Sequence, residues 1–442
     1  MIARQAFQHL IRRLATREDG GITIFGLFMC ACVLILGGIA VDISHLYAAR
    51  TQLQVTTDVA AHAALHSVNF STRDPVQAKI DALATVEANM PKSRYGEVIT
   101  AQDITFGNYD YDTRTFTPDA TSDDAVAVRG RRARAARNPV STFLLRLVGI
   151  DYFDAVTQSV FVTYIPSCFR EGFVANNTID MQSNNIYTAG FCIHSNSHVE
   201  LNSSNEFADN TVVSMPNDAD IVTPGGELDS NPGLEGALDE HAYKIGVLKM
   251  LPVWMADFAA GNTNFTPDYI NASGVISLTA PQFKAPNIKK NRIHLVTCNG
   301  SQPLNFSSNV VIEDLVLITN CQIHFAADAL LRNSVIATTN TASKSIYAGA
   351  NITIGEDDNC GAGGDSQILT LGSVELTAGV NIYGSQIIAQ DDIYLTSNAV
   401  GIEGASLIAG DQISITSNGS MGFCGGESMT RNFEVDYFRL AY

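Results

Sequence analysis

The pattern of apolar and polar positions changes character three times along the chain. Residues 22–41, ITIFGLFMCACVLILGGIAV, form an unbroken uncharged run between Asp19 and Asp42. Its length matches the ~20 residues that a helix needs to cross ~30 Å of hydrocarbon. Arg4, Arg12, Arg13 and Arg17 precede the run, and shortly after it only Arg50 is basic. The positive-inside rule then places residues 1–21 in the cytoplasm and everything after Val41 outside. The run is longer than a signal-peptide core and no A-x-A-like site follows it closely. Cleavage just before the helix, after Gly20 or Gly21, needs a glutamate five residues on. Phe25 and Gly26 stand there instead, so an uncut anchor is expected.

Helical spacing continues over residues 42–66. Ile43, Leu46, Tyr47, Leu53, Ala60, Ala61 and Ala64 fall on one face, interrupted by Arg50 and Thr57. The small alanines permit close approach, either to the protein's own next domain or to a partner subunit. Residues 67–165 read as a small α+β stem. Asp74 to Asn89 has helical spacing. Ile104–Phe106 and Thr115–Thr117 flank a Tyr/Asp turn as in a hairpin. Ala125–Val128 alternates as a strand, a helical run follows Pro139 as far as Leu147, and Phe153–Tyr164 closes the unit. Between them lies RGRRARAAR, with Arg129, Arg131, Arg132, Arg134 and Arg137. It reads as a solvated loop, or as a contact patch for anionic headgroups or an acidic subunit.

From Cys168 onward the period shortens and repeats. VNIYGSQIIAQDDIYLTSNA at 380–399 and VGIEGASLIAGDQISITSNG at 400–419 share ten of twenty positions. Among these are Ile382/Ile402, Ile388/Ile408, Ile393/Ile413 and Asn398/Asn418. NTIDMQSNN from Asn177 aligns with SHVELNSSN from Ser197 at the same offset, and Asp314 aligns with Asn333 at nineteen. A constant offset near twenty with short alternating runs predicts stacked coils, a parallel β-helix in which each apolar row is buried only by its neighbours. Asn398 over Asn418 would form an amide ladder at a turn. Pro216 to about Asn291 is expected to interrupt the coil. Within it Leu234, Leu238, His241, Ile245 and Leu248 predict an amphipathic helix ending before Pro252, with Trp254 packed nearby. The alternation from Phe433 to Tyr442 predicts a strand closing the open end of the coil.

Composition narrows the function classes. The formal net charge of −18 argues against nucleic-acid binding, which needs a basic surface. No two of the cysteines outside the apolar run form a C-x-x-C pair, so zinc-knuckle spacing is absent. Cys168, Cys192, Cys298, Cys321, Cys360 and Cys424 are disulfide candidates for an oxidising compartment. Separations of 24 and 23 residues favour Cys168–Cys192 and Cys298–Cys321, about one coil apart, which leaves Cys360–Cys424. Asp391, Asp392 and Asp411 are the acidic cluster to weigh, since Asp391 and Asp411 stack one repeat apart. They are read as solvated turn residues, with a cation site or catalysis as the alternatives. His62/His66 and His194/His198 lack the glutamate of a metalloprotease helix. No phosphate-binding Gly-Lys-Ser/Thr motif is present. No catalytic residue, metal site or cofactor is assigned.

The segment REDGGITIFGLFMCACVLILGGIAVDISHLYAARTQLQVTTDVAAHAAL resembles the N-terminal region of TadG-like proteins of the tight-adherence (Flp) pilus system. Asp42, Tyr47, Arg50, Leu53, Gln54, Asp58, Ala60 and Ala61 carry the resemblance. His62 and His66 depart from the usual run of small residues. Some relatives carry a von Willebrand A-type metal motif; the stretch from Asp42 to Leu46 lacks its second serine. The expectation is a mainly β protein with a transmembrane helix (22–41), a helix continuing outside (42–66), an α+β stem (67–165) and an interrupted parallel β-helix of about 20 residues per coil (166–442, insertion at about 216–291). The resemblance implies a non-enzymatic structural or assembly component of the pilus, single-pass in the bacterial inner membrane, with its bulk in the periplasm or beyond. The implied partners are the membrane and other pilus-assembly proteins or pilin-like subunits, with no nucleic acid. A surface adhesin and a β-helix carbohydrate-active enzyme are the alternatives.

Overall fold

A computed structural model describes residues 20–71, 74–224, 228–261, 266–284, 286–300, 302–396, 401–426 and 428–441. The arginines before the anchor, and Ser397, Asn398 and Val400 of the repeat, lie outside these. The chain forms two compact units, Met1–Tyr164 with Asp436–Tyr442, and Ile165–Val435. Most of the regular structure is β, with parallel sheets in the second unit and one apolar N-terminal helix.

In the first unit a single helix runs from Gly20 to His66. Its most apolar window has a mean hydropathy of 2.7 and is almost entirely unburied, so it is long and apolar enough to cross a membrane. The second half changes partners. Ala49, Leu53, Ala60, Ala61, Ala64 and Leu65 are buried against the unit's own sheet and the helix Pro75–Asn89. Close approach to the protein's own next elements is therefore what the alanines allow. Tyr47 lies off that face and is 64% exposed. The sheet is antiparallel, in the order Thr115–Pro118, Ile104–Asp110, Ala125–Arg132, Ala155–Tyr164 and Tyr437–Leu440. Gly130 lets helix and sheet touch. A Cβ there would sit 2.4 Å from Thr57 Oγ1 and 2.6 Å from Thr157 Oγ1, two hydroxyls that are themselves 2.7 Å apart. Asp74 caps the helix Pro75–Asn89 by accepting from the Val76 N–H.

Two expectations fail in this unit. Residues after Pro139 form the short strand Val140–Ser141 and a single 3₁₀ turn, Leu145–Val148, rather than a longer helix. Tyr437–Leu440 pairs antiparallel with Ala155–Tyr164 and does not close the coil. Alternation marks a strand but does not say which edge it joins.

The second unit is a stack of parallel strands. Strands repeat at offsets of 20 from Gly172 to Cys192 to Val212, then 19 from Ile368 to Ile387 and 20 from Ile387 to Leu407. Ile382 pairs with Ile402, Ile388 with Ile408 and Ile393 with Ile413. The core consists of continuous columns through the stack. One runs Ile312, Leu331, Ile354, Ile382, Ile402, Met421, Tyr187, Phe207. Every member is buried. Each side chain is covered by the rungs above and below, about 4.8 Å away, so no rung has a closed core alone.

The order of rungs in space is not their order in sequence. Ser406–Ala409 pairs in parallel with Gly172–Ala175, and Gln412–Ile415 pairs with Thr178–Met181. The chain therefore enters in the middle of the stack. It builds outward to Leu238–Glu240, then resumes at Val275–Thr279 on the opposite side and builds back until it meets its own first rung. Two strands expected to fall in the interruption, Leu238–Glu240 and Val275–Thr279, are rungs. The predicted helix at Leu234–Leu248 is instead a turn of helix at Leu234–Ala237, the strand, and a helix Gly246–Ala260 that contains Pro252. This last helix and residues 428–435 flank the stack: Trp254 packs on Phe433 at 5.0 Å, and the side chains of Gln367 and Gln386 bond the backbone at Arg431 and Phe433.

Candidate functional site

The residues singled out just after the apolar run take up separate positions. Asp42 is buried, and its carboxylate accepts three backbone N–H bonds, from Phe143 (2.7 Å), Leu144 (3.0 Å) and Leu145 (2.7 Å). These are among the N–H groups that the short 3₁₀ turn Leu145–Val148 leaves unpaired at its start. An anion there satisfies them. Further along, Gln54 donates to Asp58 (2.7 Å) and to the Gln158 carbonyl (3.2 Å), which ties helix to sheet. Leu53, Ala60 and Ala61 are buried in the core of the unit. Tyr47 and Arg50 are exposed.

The arginine-rich segment is not a loop. Arg129, Arg131 and Arg132 lie on the strand Ala125–Arg132. Arg131 pairs with Asp103 at 2.6 Å, Arg132 lies over Tyr95, and Arg134 bonds Asp154 and stacks on Tyr152. Arg137 adopts a left-handed conformation just after a 3₁₀ turn. Three of the five thus have partners within the unit, leaving Arg129 and Arg137 as the exposed remainder.

In the second unit the six cysteines are joined in sequence order. Cys168–Cys192, Cys298–Cys321 and Cys360–Cys424 have Cα separations of 4.8, 5.4 and 5.5 Å. Glu403 lies close to the third bridge. Because both sulfurs are held in that bridge, this group offers a cation only one carboxylate.

Asp391 and Asp411 occupy successive turns, with the Asp411 N–H donating to the Asp391 carbonyl at 3.0 Å. Burial, then the charges of Asp392 and Asp411, push the Asp391 carboxyl above its ordinary range. Asn177 donates to Asp411 at 2.5 Å, and Ser373 bonds Asp392 at 3.2 Å. His62 and His66 have ring centroids 6.1 Å apart and pack against Phe161 and Phe438. His198 is on the strand following that of His194 and bonds Ser197.

Three features escaped the reading of the sequence. Glu171 is fully buried and gathers the N–H groups of Cys424 (2.6 Å) and Gly426 (2.5 Å) and the hydroxyl of Ser428 (3.3 Å). It fastens the later rungs to the first one. An amide ladder runs through a column the sequence reading did not single out: Asn205 accepts from the Asn185 N–H, Asn231 from the Asn205 N–H, and Asn185 from the Gly419 N–H. Asn185 and Asn205 were already one repeat apart in the alignment, which was the available signal.

The third is the burial of His194, which the sequence offered only as one of a pair with His198. The imidazole is buried between Ser214 (2.8 Å) and Asn196 (3.0 Å). Burial lowers its pKa to about 4, against the Asn196 bond and with a smaller contribution from His241. The unfolded imidazole takes its proton near pH 6.5 and the folded one only near pH 4, so the unfolded state binds more protons between them. Stability is full above about pH 6.5 and is expected to fall by about 3 kcal/mol as the pH drops to about 4. Trp254, the only tryptophan, reports melting of this unit. His194→Gln should flatten the pH dependence of that melt over this window; an unchanged slope would assign it to other groups.

Comparison with known families follows the same division. Residues 172–425 match the family described as Domain of unknown function (DUF7867). Residues 20–69 match the TadE/G-like Flp pilus-assembly family, and residues 56–160 the Tad-like Flp pilus-assembly family. An apolar helix feeding a stem that matches these families fits a membrane-anchored component of Flp pilus assembly. The chain belongs to the DUF7867 family, through more than half its length, and is a TadG-like tight-adherence pilus protein. No curated protein and no solved structure matches it.

Proposed function

We propose that this protein is a structural or assembly component of the tight-adherence pilus. Residues 22–41 span the inner membrane once with the N-terminus in the cytoplasm, and the unit Ile165–Val435 stands in the periplasm or beyond. That unit is read as an interrupted parallel β-helix of about 20 residues per coil, whose sides offer contacts to pilin-like subunits or other assembly proteins. One observation carries the reading: the helix Gly20–His66 is continuous, apolar and exposed in its first half, and core-forming in its second. Anchor and stem are therefore one element. The disulfides support an oxidising compartment. A non-catalytic role is supported by the match of residues 20–160 to pilus-assembly families.

A reporter fused after Tyr442 is expected to be active only outside the cytoplasm, and the protein should resist carbonate extraction. Proximity labelling from that fusion, in cells with the native pilus machinery, should mark pilin-like or assembly proteins. A cytoplasmic reporter, or labelling no different from that of an unrelated anchored protein, contradicts the proposal.

A further inference from the structure

The loop held by Asp42 has an apolar surface that none of the described residues of its own unit covers. Phe143 is 58% exposed, Leu147 78%, Val148 49% and Ile150 44%, with Leu144 at 38%. Five large apolar side chains within eight residues are costly in water and mark a contact surface. The position of the loop says what covers it. Leu144 packs against the helix at Gly38, where an added Cβ would come within 2.9 Å of the Leu144 Cβ. Phe143 packs against His45, with ring centroids 4.9 Å apart and the rings tilted. Gly38 lies three residues before Val41, about 4.5 Å inside the apolar run at the helical rise per residue. The loop thus sits beside the last turn of the anchor, level with the exposed Ile35, Leu36, Ile39 and Val41.

We infer that residues 143–150 form a second membrane contact, a wedge that enters the outer leaflet beside the anchor helix. This rests on the reading of residues 22–41 as a membrane span. Three features fit a lipid surface. The apolar side chains are continuous with the lipid-facing side of the helix. The backbone N–H groups at the start of the loop are satisfied by Asp42, which lowers the cost of taking them out of water. The exposed Arg146 has a stem long enough to reach the headgroups while its neighbours are immersed. With two contacts, the stem is fixed in tilt and rotation relative to the bilayer, which a single helix does not achieve. Asp42 is the positioning residue of this device.

The test uses the full chain reconstituted into phosphatidylcholine–phosphatidylglycerol vesicles. Leu147→Trp and Val148→Trp are compared with Tyr111→Trp, each over the signal of Trp254. Tyr111 bonds Thr163, and Asn69 bonds Asp123 beside it, so this control lies at the far end of the helix, about 40 Å from Asp42. The expected result is blue-shifted emission from positions 147 and 148, quenched by lipids brominated on their acyl chains. Tyr111→Trp should be unquenched, and Asp42→Ala should weaken the quenching at 147. Water-like, unquenched emission at 147 and 148 overturns the proposal. So does a blue shift without quenching, which would place the loop against protein. Loss of the chain from the vesicles would instead overturn the anchor reading beneath it.

Discussion

Replacing Ile402 with aspartate is expected to destabilise the unit Ile165–Val435 by about 5 kcal/mol or more. Ile402 is 1% exposed and lies in an unbroken column between Ile382 and Met421. A carboxylate there has no partner and no route to water. The rungs on both sides lose contacts as well, because each supplies the other's cover. Asn305→Asp is the matched control. Asn305 is exposed between buried Leu304 and Phe306 on a strand of the same stack, and a charge there should shift stability by no more than about 0.5 kcal/mol. Ser406 would be a poor control although its residue type looks milder. It is fully buried and donates to the Phe169 carbonyl at 2.8 Å. Thermal melts followed by Trp254 fluorescence separate the cases, and similar losses for Ile402→Asp and Asn305→Asp would contradict the column.

Removing the carboxylate of Glu171 is expected to cost about 3 kcal/mol, with Glu171→Ala worse than Glu171→Gln. The alanine variant strands the N–H groups of Cys424 and Gly426 in a partly buried site. A glutamine restores one acceptor but turns an amide N–H toward a backbone donor. The effect is large because Glu171 immediately precedes the first rung, where the last rungs close on it. The same melts report it, and losses near zero would mean that the closure is held by strand pairing alone.

Much of this was legible in the sequence, for identifiable reasons. The repeat offset showed because stacked rungs place like residues over like: Ile382 over Ile402, Ile393 over Ile413. The anchor showed because twenty uncharged residues have few other uses. The closure of Ser406–Ala409 on Gly172–Ala175 did not show. Offsets report which rungs follow one another in sequence, and two halves of a stack meet through pairs more than 230 residues apart. Leu238–Glu240 and Val275–Thr279 were hidden because each is a short rung beside irregular chain, where no repeat partner lies at twenty. The arginine run looked like a loop by composition, yet Arg131 and Arg132 lie on a paired strand, with Asp103 and Tyr95 bringing their head groups into contact. Asp42 was singled out only by resemblance. Its three N–H partners lie about a hundred residues away and have no side-chain signature.

The central claim, an anchored structural role in pilus assembly, is tested most directly by counting surface pili in cells that lack this chain and carry a complementing copy. Loss of the chain should abolish most pili. The full chain should restore them, as should a variant with Asp391→Asn, Asp392→Asn and Asp411→Asn together, while a chain lacking residues 22–41 should not. Unchanged piliation without the chain, or restoration that depends on those three carboxylates, would contradict it.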